Sequence, residues 1–346
     1  MQLDSKIFVA GHRGLSGSAI VEALRQKGYK NLILKTHKEL DLSDFNATSE
    51  FFKNERPEFV FLSAAKVGGI IANNTYRADF IYQNLAIQNS VIYNSYKFSV
   101  KKLLFLGSSC IYPKNAPQPI KEESLLTSEL EYTNEPYAIA KIAGLKMCES
   151  FNLQYNTNFI SLMPTNLYGE NDNFDFQNSH VLPALLRKIH LAKLLEANDL
   201  SGVAKDLGVL ECDAVESLAK LGVSKSGVEI WGSGNPRREF LHSQDLADAC
   251  VFIMQSVDFK DLVGDKKEVR NTHINIGSGS DISIKELALL IKKIVGFKGE
   301  LYFNTNKPDG TMRKLMDISK IKKLGWNPKI NLDSGIKEVY KWYLNR

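Results

Sequence analysis

Apolar positions along the chain follow two alternating rhythms. Short, mostly apolar runs at residues 6–10, 31–34, 59–65, 102–107, 158–163 and 273–277 read as strands, the purest of them, 59–65, as a buried one, because a strand covered on both faces has no polar side to show. Between the earlier runs lie stretches with helical spacing: residues 18–28, a helix opening at 41–44 with Ser43 or Asp44 as N-cap, residues 79–97, and residues 137 to about 155. In the third of these, Phe80, Leu85, Ile87, Val91 and Ile92 form the apolar stripe, with Asn84 inside it. Alternation this regular predicts an α/β fold with a doubly wound parallel sheet, whose ligands bind at the carboxyl ends of the strands.

After Gly169 the alternation weakens. Helices are expected from His180, over 242–255, over 284–295, and from 318 to 344 apart from a turn at 325–328. A chain of 346 residues exceeds one hydrophobic core, so two domains are expected. The first is residues 1–168, completed by about 236–277. The second, a smaller α/β substrate domain, is 169–235 with 278–346. Residues 196–227 have helical leanings and several glycines, fit neither rhythm, and read as an insertion.

Composition narrows the class. An apolar content of 44% with 24% charged residues is that of an ordinary globular protein. The net charge of +5 is spread among interleaved acids and bases, which argues against nucleic acid and suits an anionic small molecule. The first residues lack a leader's apolar segment, and no run approaches the roughly 18 apolar residues of a membrane helix, so no membrane partner is expected. Cys110, Cys148, Cys212 and Cys250 stand far apart, without metal-ligand spacing to histidine. No metal is expected, and a reducing, cytoplasmic location is.

The turn Gly11-His-Arg-Gly-Leu-Ser-Gly17 follows the first strand and opens the first helix. Glycines there let the backbone approach a diphosphate at the positive helix N-terminus, which makes the sheet Rossmann-like and predicts a dinucleotide. At the end of the second strand the chain reads Lys35-Thr-His-Lys38, with Arg13 in the glycine turn and no acid before Glu39. Cations here accept a 2′-phosphate, so NADP(H) is favoured over NAD; the alternative is a solvated basic loop.

Tyr137 and Lys141 lie four apart at the start of a helix and so share one face. A cation beside a phenol lowers its pKa, and such a tyrosine can exchange a proton with a carbonyl oxygen. Ser108-Ser-Cys110 sits on another strand-end turn.

Glycine turn, strand-end serine and Tyr-x-x-x-Lys together resemble the extended short-chain dehydrogenase/reductases. The motifs Gly11-His-Arg-Gly14, Ala64-Ala-Lys-Val-Gly-Gly69, Gly107-Ser-Ser-Cys-Ile-Tyr-Pro113, Asn134-Glu-Pro-Tyr-Ala-Ile-Ala-Lys141 and Met163-Pro-Thr-Asn-Leu-Tyr-Gly169 resemble those of the GDP-L-fucose synthases. So do Asn178-Ser-His180, Arg238-Glu-Phe-Leu-His242 and Lys307-Pro-Asp-Gly-Thr311. That family epimerises C3 and C5 of GDP-4-keto-6-deoxy-mannose and reduces C4 with NADPH. The resemblance implies that Tyr137 protonates the C4 oxygen, Ser108 hydrogen-bonds it, and Lys141 lowers the tyrosine's pKa and holds the nicotinamide ribose. It also implies Cys110 as the epimerisation base and His180 as the acid. For the cofactor it implies Gly11, Arg13, Gly14, Leu15, Ser16, Gly17, His37, Asp41, Leu42, Leu106, Lys141, Pro164, Asn166, Leu167 and His180. For the GDP-bound keto-sugar it implies Ser109, Asn166, Lys188, Trp231, Arg238, Asp309 and Lys314, with Lys188 and Arg238 on the diphosphate and Trp231 either beside the nucleotide or in the core. Family members dimerise through the helices of Asn84 and Tyr137, which implies a homodimer. His37 departs from the arginine many members carry, which softens the NADP preference.

Three rivals remain: a C4 reductase alone, acting on a related GDP-keto-sugar such as a 6-deoxy-heptose; a 4,6-dehydratase, against which Ser109-Cys110 replaces the usual Asp-Glu pair; and a non-catalytic dinucleotide sensor, against which Ser108, Tyr137 and Lys141 are intact.

Overall fold

The predicted strands and helices form in the expected order. The computed structural model describes residues 1–176, 178–264, 267–307 and 309–346. In chain order the elements are β1 (Ile7–Ala10), α1 (Leu15–Gln26), β2 (Leu32–Ile33), α2 (Phe45–Glu55), β3 (Phe59–Leu62), α3 (Ile70–Thr75), α4 (Arg77–Lys97) and β4 (Lys102–Leu106). Then come α5 (Glu135–Tyr155), β5 (Phe159–Pro164), β6 (Asn166–Tyr168), α6 (Val181–Glu196), α7 (Leu200–Leu207), α8 (Glu211–Lys220), β7 (Gly227–Trp231) and β8 (Arg237–His242). The chain ends with α9 (Ser243–Ser256), α10 (Phe259–Val263), β9 (Ile274–Ile276), β10 (Asp281–Ser283), α11 (Ile284–Val295), β11 (Glu300–Asn304), β12 (Arg313–Lys314), α12 (Ser319–Lys323) and α13 (Leu332–Leu344).

The chain divides into two compact units. One holds Met1–Asp172, Glu239–Ser280 and Leu315–Ile330, the other Asn173–Arg238, Asp281–Lys314 and Asn331–Arg346. In the first unit the strands run parallel in the order β2-β1-β3-β4-β5-β9, the doubly wound arrangement expected from the alternating pattern. Strands β1, β3 and β4 are buried along their whole length, which is why they read as mostly apolar runs. Helices α4 and α5 lie against each other on the sheet. Their close approach depends on Gly144, where a Cβ would stand 2.6 Å from the Phe105 ring and 2.8 Å from Gln88 Oε1. Gln88 donates from Nε2 to the Ala140 carbonyl at 2.6 Å and so pins α5 to α4. Within the same unit, β6 pairs with the Phe240–His242 end of β8.

In the second unit, β7 pairs in parallel with β11, and β12 with the Arg237–Arg238 end of β8. Helices α6, α11 and α13 pack together, and α7 packs on α8.

Local departures have local causes. The strand expected over 158–163 runs one residue further, to Pro164, since the missing proline N–H falls at a strand end where no ladder bond is lost. The stretch expected to be helical from 318 to 344 apart from a turn at 325–328 is two helices, α12 and α13, and the break between them runs on past the expected turn to Asn331. Between them the backbone N–H groups of Lys329 and Ile330 are claimed by the Asp245 carboxylate. Residues 196–227 hold the amphipathic helices α7 and α8.

Candidate active site

The carboxyl end of β4 runs into Gly107 and then Ser108. The Ser108 Oγ accepts the Cys110 N–H at 3.2 Å and caps a short 3-10 turn over Ser109–Ile111. This places Ser108 and a half-buried Cys110 at the carboxyl end of the sheet, on either side of a buried Ser109 in the chain. Tyr137 projects from the first turn of α5, its ring edge-on to Phe80 with centroids 6.4 Å apart. One turn on, Lys141 is 4% exposed. Its Nζ donates to the Leu106 carbonyl at 2.8 Å and stands 4.8 Å over the Phe105 ring and 5.8 Å from the centre of the Tyr137 ring.

The electrostatics correct one expectation. Burial pushes the Tyr137 phenol above its ordinary pKa, the neighbouring Cys110 sulfur adds to this, and the Ser108 hydrogen bond pulls the other way. The expected lowering by Lys141 is not found, because the lysine is itself drawn down to about 7 by burial. An ammonium near half protonation at neutral pH is a weak source of positive charge.

Around the dinucleotide turn, Gly11 has φ +84° and packs so that a Cβ would lie 2.7 Å from the Ala64 nitrogen. A Cβ on Gly17 would lie 2.1 Å from the Gly11 oxygen. Gly14 caps α1 without a side chain, so the N–H groups of the first turn, Leu15 and Ser16 among them, are not taken by a capping side chain. This backbone cradle fits a diphosphate. Beside it lie Arg13, Lys35, an exposed His37 and Lys38. Glu39 folds back on Thr36, accepting its N–H at 2.8 Å and its hydroxyl at 2.6 Å. Asp41 accepts the Ser43 N–H and lies 3.7 Å from His37 Nδ1, with Leu42 following it. The remaining cofactor candidates of this unit are at strand ends: Leu106 on β4, Pro164 on β5, and Asn166 and Leu167 on β6, with Asn166 Nδ2 donating to the Glu239 carbonyl at 2.9 Å.

Ser108, Cys110, Tyr137 and Lys141 are therefore brought together within one unit. His180, Lys188, Trp231, Arg238, Asp309 and Lys314 belong to the other. There His180 is the exposed N-cap of α6. Lys188 Nζ donates to the Glu229 carbonyl at 3.4 Å, and burial holds its pKa below the ordinary value. Trp231, 53% exposed, has the Lys307 ammonium 5.0 Å over its ring, so it is a surface side chain rather than core. Arg238 donates to the Thr311 carbonyl and shares a parallel pairing with Lys314. Asp309 accepts from the Ser233 N–H at 2.9 Å and its hydroxyl at 2.7 Å. In the motif 307–311, Pro308 lies outside the described residues.

Two supports were not anticipated. Phe80, read as core, is the wall against which Tyr137 rests, and Asn84 holds Lys66 by both its N–H (3.1 Å) and its carbonyl (3.0 Å). The signal was present: Phe80, Asn84 and Gln88 fall four apart, and two of those positions on an apolar face are polar.

Residues 7–277 match the NAD dependent epimerase/dehydratase family. GDP-L-fucose synthase 1 of Arabidopsis thaliana is 53% identical over 340 residues, 98% of this chain and 93% of that protein. The chain is a member of the GDP-L-fucose synthase family. Among solved structures similar to this family member, a GDP-6-OMe-4-keto-L-xylo-heptose reductase from Campylobacter jejuni is 56% identical. Its TM-score is 0.96, with 100% of this chain and 99% of that chain covered. A GDP-mannoheptose C4 reductase from the same organism, solved with NADP bound, is 55% identical with a TM-score of 0.90, over 99% of each chain. Among the described residues, no helix is long and apolar enough to cross a membrane.

Proposed function

We propose that this chain is an NADPH-dependent reductase acting at C4 of a GDP-bound 4-keto-6-deoxy sugar, and that the same site epimerises C3 and C5. The observation that carries the reading is the hydrogen-bonded pair of Ser108 and Tyr137 at the end of β4, with Cys110 beside them. NADPH, when bound, supplies the hydride. Tyr137 supplies the proton to the C4 oxygen. Its raised pKa keeps that proton in place at neutral pH, and an alkoxide forming at C4 is basic enough to take it. Ser108 hydrogen-bonds the same oxygen. Before reduction, the ketone acidifies the neighbouring C–H bonds, and these two hydroxyls stabilise the enolate. Cys110 serves as base and His180 as acid.

The cofactor rests on the glycine cradle, and Arg13, Lys35, His37 and Lys38 favour the 2′-phosphate because Glu39 is turned back on Thr36. The nucleotide diphosphate falls to Lys188 and Arg238, with Trp231 offering a ring face to the base and Asp309 and Lys314 lining the same unit. The unit of Met1–Asp172, Glu239–Ser280 and Leu315–Ile330 carries the dinucleotide, so that 315–330 moves out of the part first expected to bind substrate, and the other unit, with Arg238, carries the sugar nucleotide.

A second reading, C4 reduction alone on a GDP-heptose, is favoured by the identity above 50% to the two heptose reductases. Purified protein with NADPH is tested on GDP-4-keto-6-deoxy-mannose and on its heptose counterpart. Absence of NADPH oxidation with either removes the reductase. Incubation in D2O without NADPH separates the two readings: deuterium at C3 and C5 supports the epimerase, and none leaves a plain reductase.

The homodimer is also proposed. Tyr82 on α4 and Ile139 and Leu153 on α5 are 73%, 41% and 53% exposed, and Ile139 lines a groove at the start of the two helices with Arg77, Ala78, Ile81, Glu135 and Pro136. A monomer mass in light scattering contradicts it. The cytoplasm suits a chain in which Cys110, Cys148, Cys212 and Cys250 are all free.

A further inference from the structure

Asn134 is the N-cap of α5, and it does not cap. Asparagine at this position ordinarily turns its side-chain oxygen onto the N–H of the second or third helical residue. Here no such bond is made, and the second helical residue is Pro136, which has no N–H to offer. The amide instead points at the strand-end turn: its Nδ2 donates to the Cys110 sulfur at 3.6 Å. Its Oδ1 is buried without a protein partner.

The segment that carries Asn134 is held from both sides. Its own N–H donates to Glu131 Oε2 at 3.2 Å, and Glu131 Oε1 takes the Thr133 N–H at 3.2 Å. Arg77, from the start of α4, donates to the Tyr132 carbonyl at 2.8 Å and lies 4.5 Å over the Tyr132 ring. On the other side, Cys110 is fixed by its N–H to Ser108. Both partners of the sulfur–amide contact are thus set by short-range bonds of their own backbones.

We infer that Asn134 is a positioning residue that holds the Cys110 sulfur as a thiolate aimed at the carbon beside the substrate ketone. The inference rests on the reading of Cys110 as the epimerisation base. A neutral amide donor favours the charged form of the group it faces, and its bond strengthens when the acceptor becomes an anion. In the step served, the thiolate lone pair takes a proton from carbon and an S–H bond forms. The C–H electron pair moves into the enolate, whose charge falls on the C4 oxygen; nothing is oxidised or reduced. One turn of chain thus supplies both halves of the reaction: Tyr137 as acid at C4, and, three residues earlier, the group that prepares the base.

Asn134→Asp is the informative change. It keeps the shape and the preference for a helix start but replaces the donor by a carboxylate facing sulfur. In the full-length protein, iodoacetamide labelling at pH 7 is followed at Cys110 by peptide mass spectrometry, with exposed Cys212 as internal reference. Cys110 labelling is expected to slow by about tenfold in both Asn134→Asp and Asn134→Ala. Deuterium wash-in at C3 and C5 is expected to fall by a similar factor, while the melting temperature and NADPH binding stay unchanged. A folded Asn134→Asp whose Cys110 labels within twofold of wild type overturns the proposal, as does one that labels slowly yet washes in deuterium at the wild-type rate. If wild type washes in no deuterium, or Cys110→Ser still does, the base assignment itself has failed; the labelling rate then still decides whether Asn134 holds the thiolate.

Discussion

Lys141 donates to the Leu106 carbonyl, tying the second turn of α5 to the last residue of β4 with a 2.8 Å bond. That bond fixes where Tyr137 stands relative to Ser108, and it uses a lysine that burial has drawn from 10.5 to about 7. The unfolded chain therefore binds more protons than the folded one between pH 7 and 10.5, so this lysine costs stability at neutral pH and less as pH rises. The cost at pH 7 is about 4 kcal/mol by the conversion of pKa shift to free energy. Removing it also forfeits a charged hydrogen bond of about 1.5–3 kcal/mol. Lys141→Met is expected to lose reductase turnover while gaining on the order of 1–3 kcal/mol in urea unfolding at pH 7. The gain should shrink toward pH 10; a variant less stable than wild type at both pH values contradicts the assignment.

Tyr137→Phe keeps the ring against Phe80 and removes the proton proposed for the C4 oxygen. NADPH oxidation should fall by about two to four orders of magnitude, the range ordinarily lost with a general acid. NADPH affinity, set by the glycine turn in the same unit, should stay within twofold. Stopped-flow absorbance and a fluorescence titration measure the two; turnover at wild-type rate would remove Tyr137 from the chemistry.

The parts legible in the sequence are those fixed by local pattern. Runs such as Phe59-Val-Phe-Leu62 announce buried strands, and Asp44 and the Gly11–Gly17 turn announce where α2 and α1 begin. What tertiary contact decides was not legible. The turn at 325–328 is expected from the sequence, but the Asp245 carboxylate also takes the N–H groups of Lys329 and Ile330, so α13 starts only at Leu332, and β10 and β12 are too short to carry a period. The reactive groups divide the same way. Tyr137 and Lys141 are visible as a spacing, but the direction of both pKa shifts depends on burial, which no spacing encodes. Asn134 enters the sequence only as the first residue of a motif, and the contact of its amide with Cys110 is a tertiary one that no spacing encodes.

Gly17→Ala should fail for reasons of backbone geometry. Its methyl would meet the Gly11 oxygen at 2.1 Å, the Gly11 carbonyl carbon at 2.6 Å and His12 Cα at 2.9 Å, none of which can swing away. The turn must open, at about 1–3 kcal/mol for an overpacked site. NADPH affinity should drop at least tenfold along with the urea midpoint. Gly14→Ala is the control, since its methyl comes no nearer than 3.6 Å to the Gly11 oxygen. It should keep the wild-type midpoint.

His242 sets an acid limit on stability. It is 1% exposed, edge-on to Tyr168 at 5.1 Å, and caps α9 by accepting the Gln244 N–H on Nδ1 at 3.3 Å, while Nε2 is buried without a partner. Burial lowers its pKa from 6.5 to about 4. Protonation would put a hydrogen where the cap needs a lone pair. Because the unfolded histidine takes its proton near 6.5 and the folded one near 4, this stabilisation is complete above 6.5 and is lost as pH falls through that window. The loss amounts to about 3 kcal/mol. Glu122 and Glu239, whose pKa values burial raises, act with the opposite sign, so wild type alone does not isolate the effect. His242→Asn does: asparagine accepts the same N–H and carries no charge. Urea unfolding at pH 7 and pH 4.5 should show wild type losing about 2–3 kcal/mol more than His242→Asn, and parallel losses in the two proteins would mean that His242 is not the group that titrates.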